Sequence, residues 1–133
     1  MSIPLNYWAI LLSAIASMVI GGVWYSHKVF GIAWMKLSGK TKADIKGANT
    51  AMGYMFLTAL IMAYVLAHFV YLFGAKGFAG GLQLGIWAWL GLIATTMSSN
   101  YIFEGRPWKL FLINGLFRLV EVCAMTVILS CWR

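Results

Sequence analysis

Four stretches of the chain are almost purely apolar: residues 4–24, 51–73, 82–103 and 108–132. Each is long enough to cross a bilayer as a helix, which takes about 20 residues. A membrane barrel would instead need segments of ~10 residues with alternating apolar and polar positions, and none of the four stretches alternates. The pattern predicts an all-α integral membrane protein, a single domain over residues 1–133. Its four transmembrane helices run as two antiparallel hairpins. Between the first two stretches, Val29, Phe30, Ile32, Ala33, Trp34 and Leu37 lie between Lys28 and Lys36. That arrangement suits a short helix lying in the headgroup plane. Thr41 and Asp44 then have the spacing of an N-terminal capping box leading towards the second span.

Composition agrees with this pattern. The chain is 62% hydrophobic and 10% charged, whereas a soluble domain carries about 25% charged residues. A protein of this size cannot hide so much apolar surface from water, so lipid is the expected solvent for most of it.

The formal net charge of +7 does not point to nucleic acid, because the spans divide the basic residues. Lys28, Lys36, Lys40, Lys42 and Lys46 lie in the first loop, and Arg106 and Lys109 follow the third span. The other side holds only Lys76 and Arg133. Lys and Arg favour cytoplasmic loops, which puts the first and third loops inside and both termini outside a plasma (inner) membrane. Ala14-Ile15-Ala16 has the small-x-small form of a signal-peptidase site. The segment lacks a basic leader and its apolar run continues, so it is expected to remain as the first span. Aromatic residues mark the expected boundaries: Tyr7, Trp8, Tyr71, Phe73 and Trp132 outside, Trp24, Tyr25, Tyr101 and Trp108 inside.

Small residues recur every four positions, as Ser13, Ser17 and Gly21, then Gly77, Gly81 and Gly85, and as Ala51, Ala59, Ala63 and Ala67 in the second span, where Met55 breaks the row. Such rows let helix backbones approach closely. They serve internal packing or contacts between copies. Four short helices leave much lipid-facing surface, and a homo-oligomer is the expected assembly.

The chemistry concentrates in the last span. Asn114, Arg118 and Glu121 fall on one helical face at i, i+4 and i+7. Arg118 lies ~15 Å from the start of that span at 1.5 Å per residue. A charge at the centre of a membrane helix costs about 2.5–3.5 kcal/mol on insertion scales, so it is rarely idle. Counting outward from the turn at Glu104-Gly105-Arg106-Pro107, Thr95 and Thr96 of the third span come level with Arg118. Ser98 and Ser99 come level with Asn114, and Asn100 comes next. A polar seam is therefore expected between the third and fourth spans, with Ser13 and Ser17 of the first span at a depth that could close it. Glu104 lies at its mouth. Two functions fit: a pathway or binding site for an ion or small polar solute, or a non-catalytic interaction subunit in which the Arg118–Glu121 pair is structural. An enzyme is the weakest reading, because no nucleophile–base constellation is visible. No cofactor is implied. Cys123 and Cys131 are ~12 Å apart on one helix, too far for a mutual disulfide. His27 and His68 belong near opposite faces, so no metal site is expected.

Two blocks carry a family resemblance. One is Asn6 with Gly22-Val23-Trp24-Tyr25-Ser26, Phe30-Gly31 and Trp34. The other is Phe103-Glu104-Gly105-Arg106-Pro107-Trp108 with Asn114-Gly115. At this spacing the chain resembles a family of small bacterial membrane proteins known only as domain of unknown function 1761. The resemblance implies four membrane helices and brings no activity with it. Arg118 and Glu121 are singled out by their physics alone.

Overall fold

The computed structural model describes residues 3–26, 28–39 and 48–132. Its helices are α1 (Tyr7–Trp24), α2 (Gly31–Ser38), α3 (Ala48–Leu72), α4 (Gly77–Ala88), α5 (Thr95–Glu104) and α6 (Trp108–Cys131). A π-helical segment, Trp89–Ala94, joins α4 to α5 without a break, and the three together form the third span. There is no strand among the described residues. Four helical stretches are long and apolar enough to cross a membrane: Tyr7–Trp24, Thr50–Leu72, Gly77–Glu104 and Trp108–Cys131. The capping box expected at Thr41 and Asp44 lies outside the described residues, as does His27.

Local chemistry accounts for the helix ends. The Asn6 side-chain oxygen accepts from the backbone N–H groups of Trp8 (3.1 Å) and Ala9 (3.2 Å), capping α1. Gly105 closes α5 at φ 66°, a left-handed conformation that costs glycine little. The N–H of Arg106 then reaches back to the Tyr101 carbonyl at 3.0 Å, and Pro107 prevents the helix from continuing. The third span starts at Gly77, before the apolar stretch that begins at residue 82. Of its leading glycines, Gly81 and Gly85 lie against α6, as their small-residue row suggested, whereas nothing lies within 4 Å of a Cβ at Gly77.

Helix α6 is the hub, packing against α1, α3 and α4. It runs antiparallel to α1. The Asn6 amide donates to the Trp132 carbonyl at one end (3.2 Å), and the Trp24 indole donates to the Ile113 carbonyl near the other (3.0 Å). Its course against the third span is also antiparallel. Gly81 and Gly85 face residues 123–130, while the Trp89 indole donates to the Gly115 carbonyl at 2.8 Å. A Cβ at Gly81 would meet the Thr126 carbonyl oxygen at 2.7 Å, and one at Gly85 would meet Cys123 Cα at 2.9 Å. The small-residue rows are spent on such internal contacts. Ser13, Ser17, Ala59, Ala63 and Ala67 are buried, and of the rows named only Ala51 and Gly77 lie exposed.

The bundle has two unlike ends. Towards the end where Asn6 meets Trp132, the core is apolar: Ala9, Ile10, Ala14, Ala63, Val70, Met125 and Leu129 are packed together. Towards the end that carries α2, the helices part. From Thr50 on, helix α3 buries no side chain before Ala59, and its residues 51–55, 57 and 58 are exposed. An apolar groove of 380 Å³ separates α3 from the third span, with Val122 on its floor.

Candidate polar site

The site is built from α6 outward. Glu121 is 3% exposed. One of its carboxylate oxygens accepts from the Ser17 hydroxyl of α1. The other accepts from Arg118 Nη1 at 2.8 Å. The i,i+3 spacing lets the guanidinium fold back along its own helix, while Ser17 arrives because α1 runs antiparallel alongside. The Arg118 guanidinium also lies over the Phe117 ring, 5.2 Å from its centroid.

One turn nearer the α2 end, Asn114 links three helices. The Tyr25 hydroxyl donates to Asn114 Oδ1 at 2.6 Å, and Asn114 Nδ2 donates to the Tyr101 hydroxyl at 2.7 Å. Tyr25 is held edge-on by Trp34 of α2 and by Phe117. Gly31 permits this arrangement, because a Cβ there would run into the carbonyls of Tyr25 and Ser26. Tyr101 in turn lies beneath the Arg106 guanidinium, 4.4 Å from the ring centroid. A ladder of polar groups thus climbs α6 from Tyr101 through Asn114 and Arg118 to Glu121 and Ser17. Beyond Glu121 the apolar core takes over.

The seam expected between the third and fourth spans takes a different course. Thr95 and Thr96 are exposed, and their hydroxyls donate to the Gly91 and Leu92 carbonyls of their own helix, both at 2.8 Å. Ser98 and Ser99 likewise turn back to the Thr95 carbonyl. Asn100 is exposed and stands apart from the cluster. Glu104 pairs with Arg106 at 3.7 Å, with both side chains exposed. Of the residues singled out in sequence, Arg118 and Glu121 come together with Ser17 of α1, while Asn114, on the same face of α6, joins Tyr25 and Tyr101. Tyr101 was visible only as a boundary aromatic, and Tyr25 as that and as part of a family block, neither as a partner of Asn114. Their hydroxyls, unlike phenylalanine, were the signal that each could join a buried network.

Arg118 has an unusual setting. It shares the inward face of α6 with Glu121 and Met125, at i+3 and i+7. Both of those are buried, yet the Arg118 side chain is 41% exposed. The outward face is a different one, carrying Leu112, Leu116 and Val120. Arg118 therefore lies one turn beyond Val122, on the side of α6 turned towards α3, near the level where α3 residues 57 and 58 are exposed. Among the described residues, no group of three or more His, Cys, Asp or Glu could hold a metal ion, and both cysteines are free.

A family model described as "Protein of unknown function (DUF1761)" matches residues 8–130. No curated protein and no solved structure matches the chain.

Proposed function

The chain belongs to the DUF1761 family of proteins of unknown function, and we propose that it is a multi-pass plasma-membrane protein holding a one-sided polar site, open from the cytoplasm, that binds a small polar solute or ion. In this reading the spans form two antiparallel hairpins, α2 lies at the cytoplasmic interface and both termini are outside. The basic residues clustered at the α2 end support that orientation.

One observation carries the site. The ion pair on the inward face of α6 is sealed at Glu121 and open at Arg118. An arginine on an inward helix face within a span, left open rather than packed away, is a functional-site candidate by default, because a charge at that depth is costly to keep. The apolar core beyond Glu121 argues for a binding site that alternates or stays one-sided, rather than a standing pore.

A second reading has its own support. Glu121 has a donor on each oxygen, and no buried side-chain nitrogen or oxygen among the described residues lacks a partner. On that account the cluster locks α1 to α6 in an accessory subunit.

The assembly we propose is a homo-oligomer formed through the third span. In that span only Gly81, Gly85, Ala94 and Tyr101 are buried. Mass measurement in mild detergent tests this, and a monomer alone would reject it.

Thiol accessibility separates the two accounts of the site. With Cys123 and Cys131 replaced by alanine, Arg118→Cys should react with a membrane-impermeant thiol reagent in inside-out vesicles and stay unreactive in intact cells. No reaction from either side would favour the structural account.

A further inference from the structure

Most of the hydrogen-bonding capacity left in the cluster belongs to one group. A guanidinium carries five N–H donors and no acceptor. Arg118 spends one on Glu121, and among the described residues no other protein acceptor meets it. The carboxylate and amide acceptors nearby are already engaged. Both Glu121 oxygens hold a donor and the residue is buried beneath the guanidinium. Asn114 Oδ1 holds the Tyr25 hydroxyl. A cation approaching the exposed side of Arg118 would meet the positive end of the pair and find no free carboxylate. An acceptor would meet the planar fork that suits carboxylate and phosphate geometry.

We infer that Arg118 is the recognition group for an oxyanion, a phosphate or carboxylate, bound on the side of α6 turned towards α3. This deepens the proposed one-sided site and rests on it. The ligand could be free or part of a lipid headgroup. The apolar groove beside Arg118 makes the second source worth a separate arm: Val122, one helical turn from Arg118, lines it with Met62, Leu66 and Ile93.

The test compares the wild-type protein with the Arg118→Met/Glu121→Gln double variant. The double variant removes the guanidinium without stranding a buried charge, and its melting temperature without ligand checks that it folds. In one arm, both proteins in phosphatidylcholine nanodiscs are titrated with inorganic phosphate against a chloride control of equal ionic strength, and thermal stabilisation is read. In the other, native mass spectrometry counts phosphatidylglycerol retained from mixed nanodiscs. The expected result is saturable binding to the wild type in at least one arm, weakened about tenfold or more in the double variant. Binding in the phosphate arm assigns a free oxyanion, and binding in the lipid arm alone assigns a headgroup. Absence of saturable binding in both arms, or equal binding to the two proteins, overturns the inference. If position 118 is nonetheless reached by the thiol reagent, the one-sided site stands and only its oxyanion ligand falls.

Discussion

Arg118 and Glu121 form one ion pair with two surroundings. Nη1 and Oε1 are 2.8 Å apart, yet the arginine side chain is 41% exposed and the glutamate 3%. The two partners should therefore respond unequally to substitution. Arg118→Met leaves a buried carboxylate with only the Ser17 hydroxyl, and breaking a buried pair in this way costs about 3–5 kcal/mol. Glu121→Gln leaves an open guanidinium and keeps an acceptor for it, so the cost should be nearer 1 kcal/mol, roughly that of a typical hydrogen bond. The double change should recover most of the loss. Melting temperatures in detergent check the order, and equal losses from the two single variants would contradict it.

The Tyr25–Asn114–Tyr101 relay predicts a second graded series. Tyr25→Phe removes the donor to Asn114 Oδ1 and should cost about 1–3 kcal/mol for the acceptor left unmade. Asn114→Leu removes both bonds together and should cost more than either tyrosine change alone. Thermal unfolding in detergent reads the series. Additive losses from Tyr25→Phe and Tyr101→Phe would mean that the relay does not act as a unit.

The glycines should divide by what surrounds them. Gly81→Ala and Gly85→Ala drive a Cβ into the α6 backbone and should destabilise by about 1–3 kcal/mol. Nothing lies within 4 Å of a Cβ at Gly53. Gly53→Ala should stabilise α3 by up to about 1 kcal/mol, the helix-propensity difference. Thermal unfolding of the three variants checks the contrast, and a destabilising Gly53→Ala would count against the placement of α3.

Asn6 joins the two ends of the chain, capping α1 and donating to the Trp132 carbonyl. Asn6→Ala should cost about 1 kcal/mol from the lost cap alone. Asn6→Asp keeps the cap acceptor and loses the amide donor, so its melting temperature should fall between those of alanine and wild type.

Orientation is tested by labelling single cysteines at Ser38 and Phe78 in a background without Cys123 and Cys131. With both termini outside, position 78 reacts from outside intact cells and position 38 does not. External labelling at position 38 would reverse the topology.

Much of the fold was legible because helices long and apolar enough to span lipid announce themselves by length and apolarity. The four stretches needed no knowledge of their neighbours, and the turn at Gly105 came from local chemistry. The contact between Arg118 and Glu121 was legible too, because i,i+3 spacing on a helix brings the side chains together. The facing of the third span was not. A helix apolar on all sides has no stripe to mark its inward face, so counting levels could place Thr95 and Thr96 beside Arg118 without showing where they point. The π-helical turn at Trp89–Ala94 adds a residue to the local turn and rotates α5 by roughly 100° relative to an unbroken α-helix. Level-counting along a regular helix takes no account of such a turn.

The sequence by itself therefore determined the number of helices, their limits to within a few residues, and the presence of an ion pair on α6. Those properties depend on composition and on contacts within one helix. Only the tertiary structure decided that Glu121 is met by Ser17, 104 residues away, and that Asn114 lies between Tyr25 and Tyr101. The same holds for the exposure of Arg118 beside a buried Glu121. These depend on how each helix is rotated and tilted against its neighbours. In a chain this apolar, close packing around Gly81, Gly85 and Ala63 sets that rotation, and the hydrophobic pattern does not encode it.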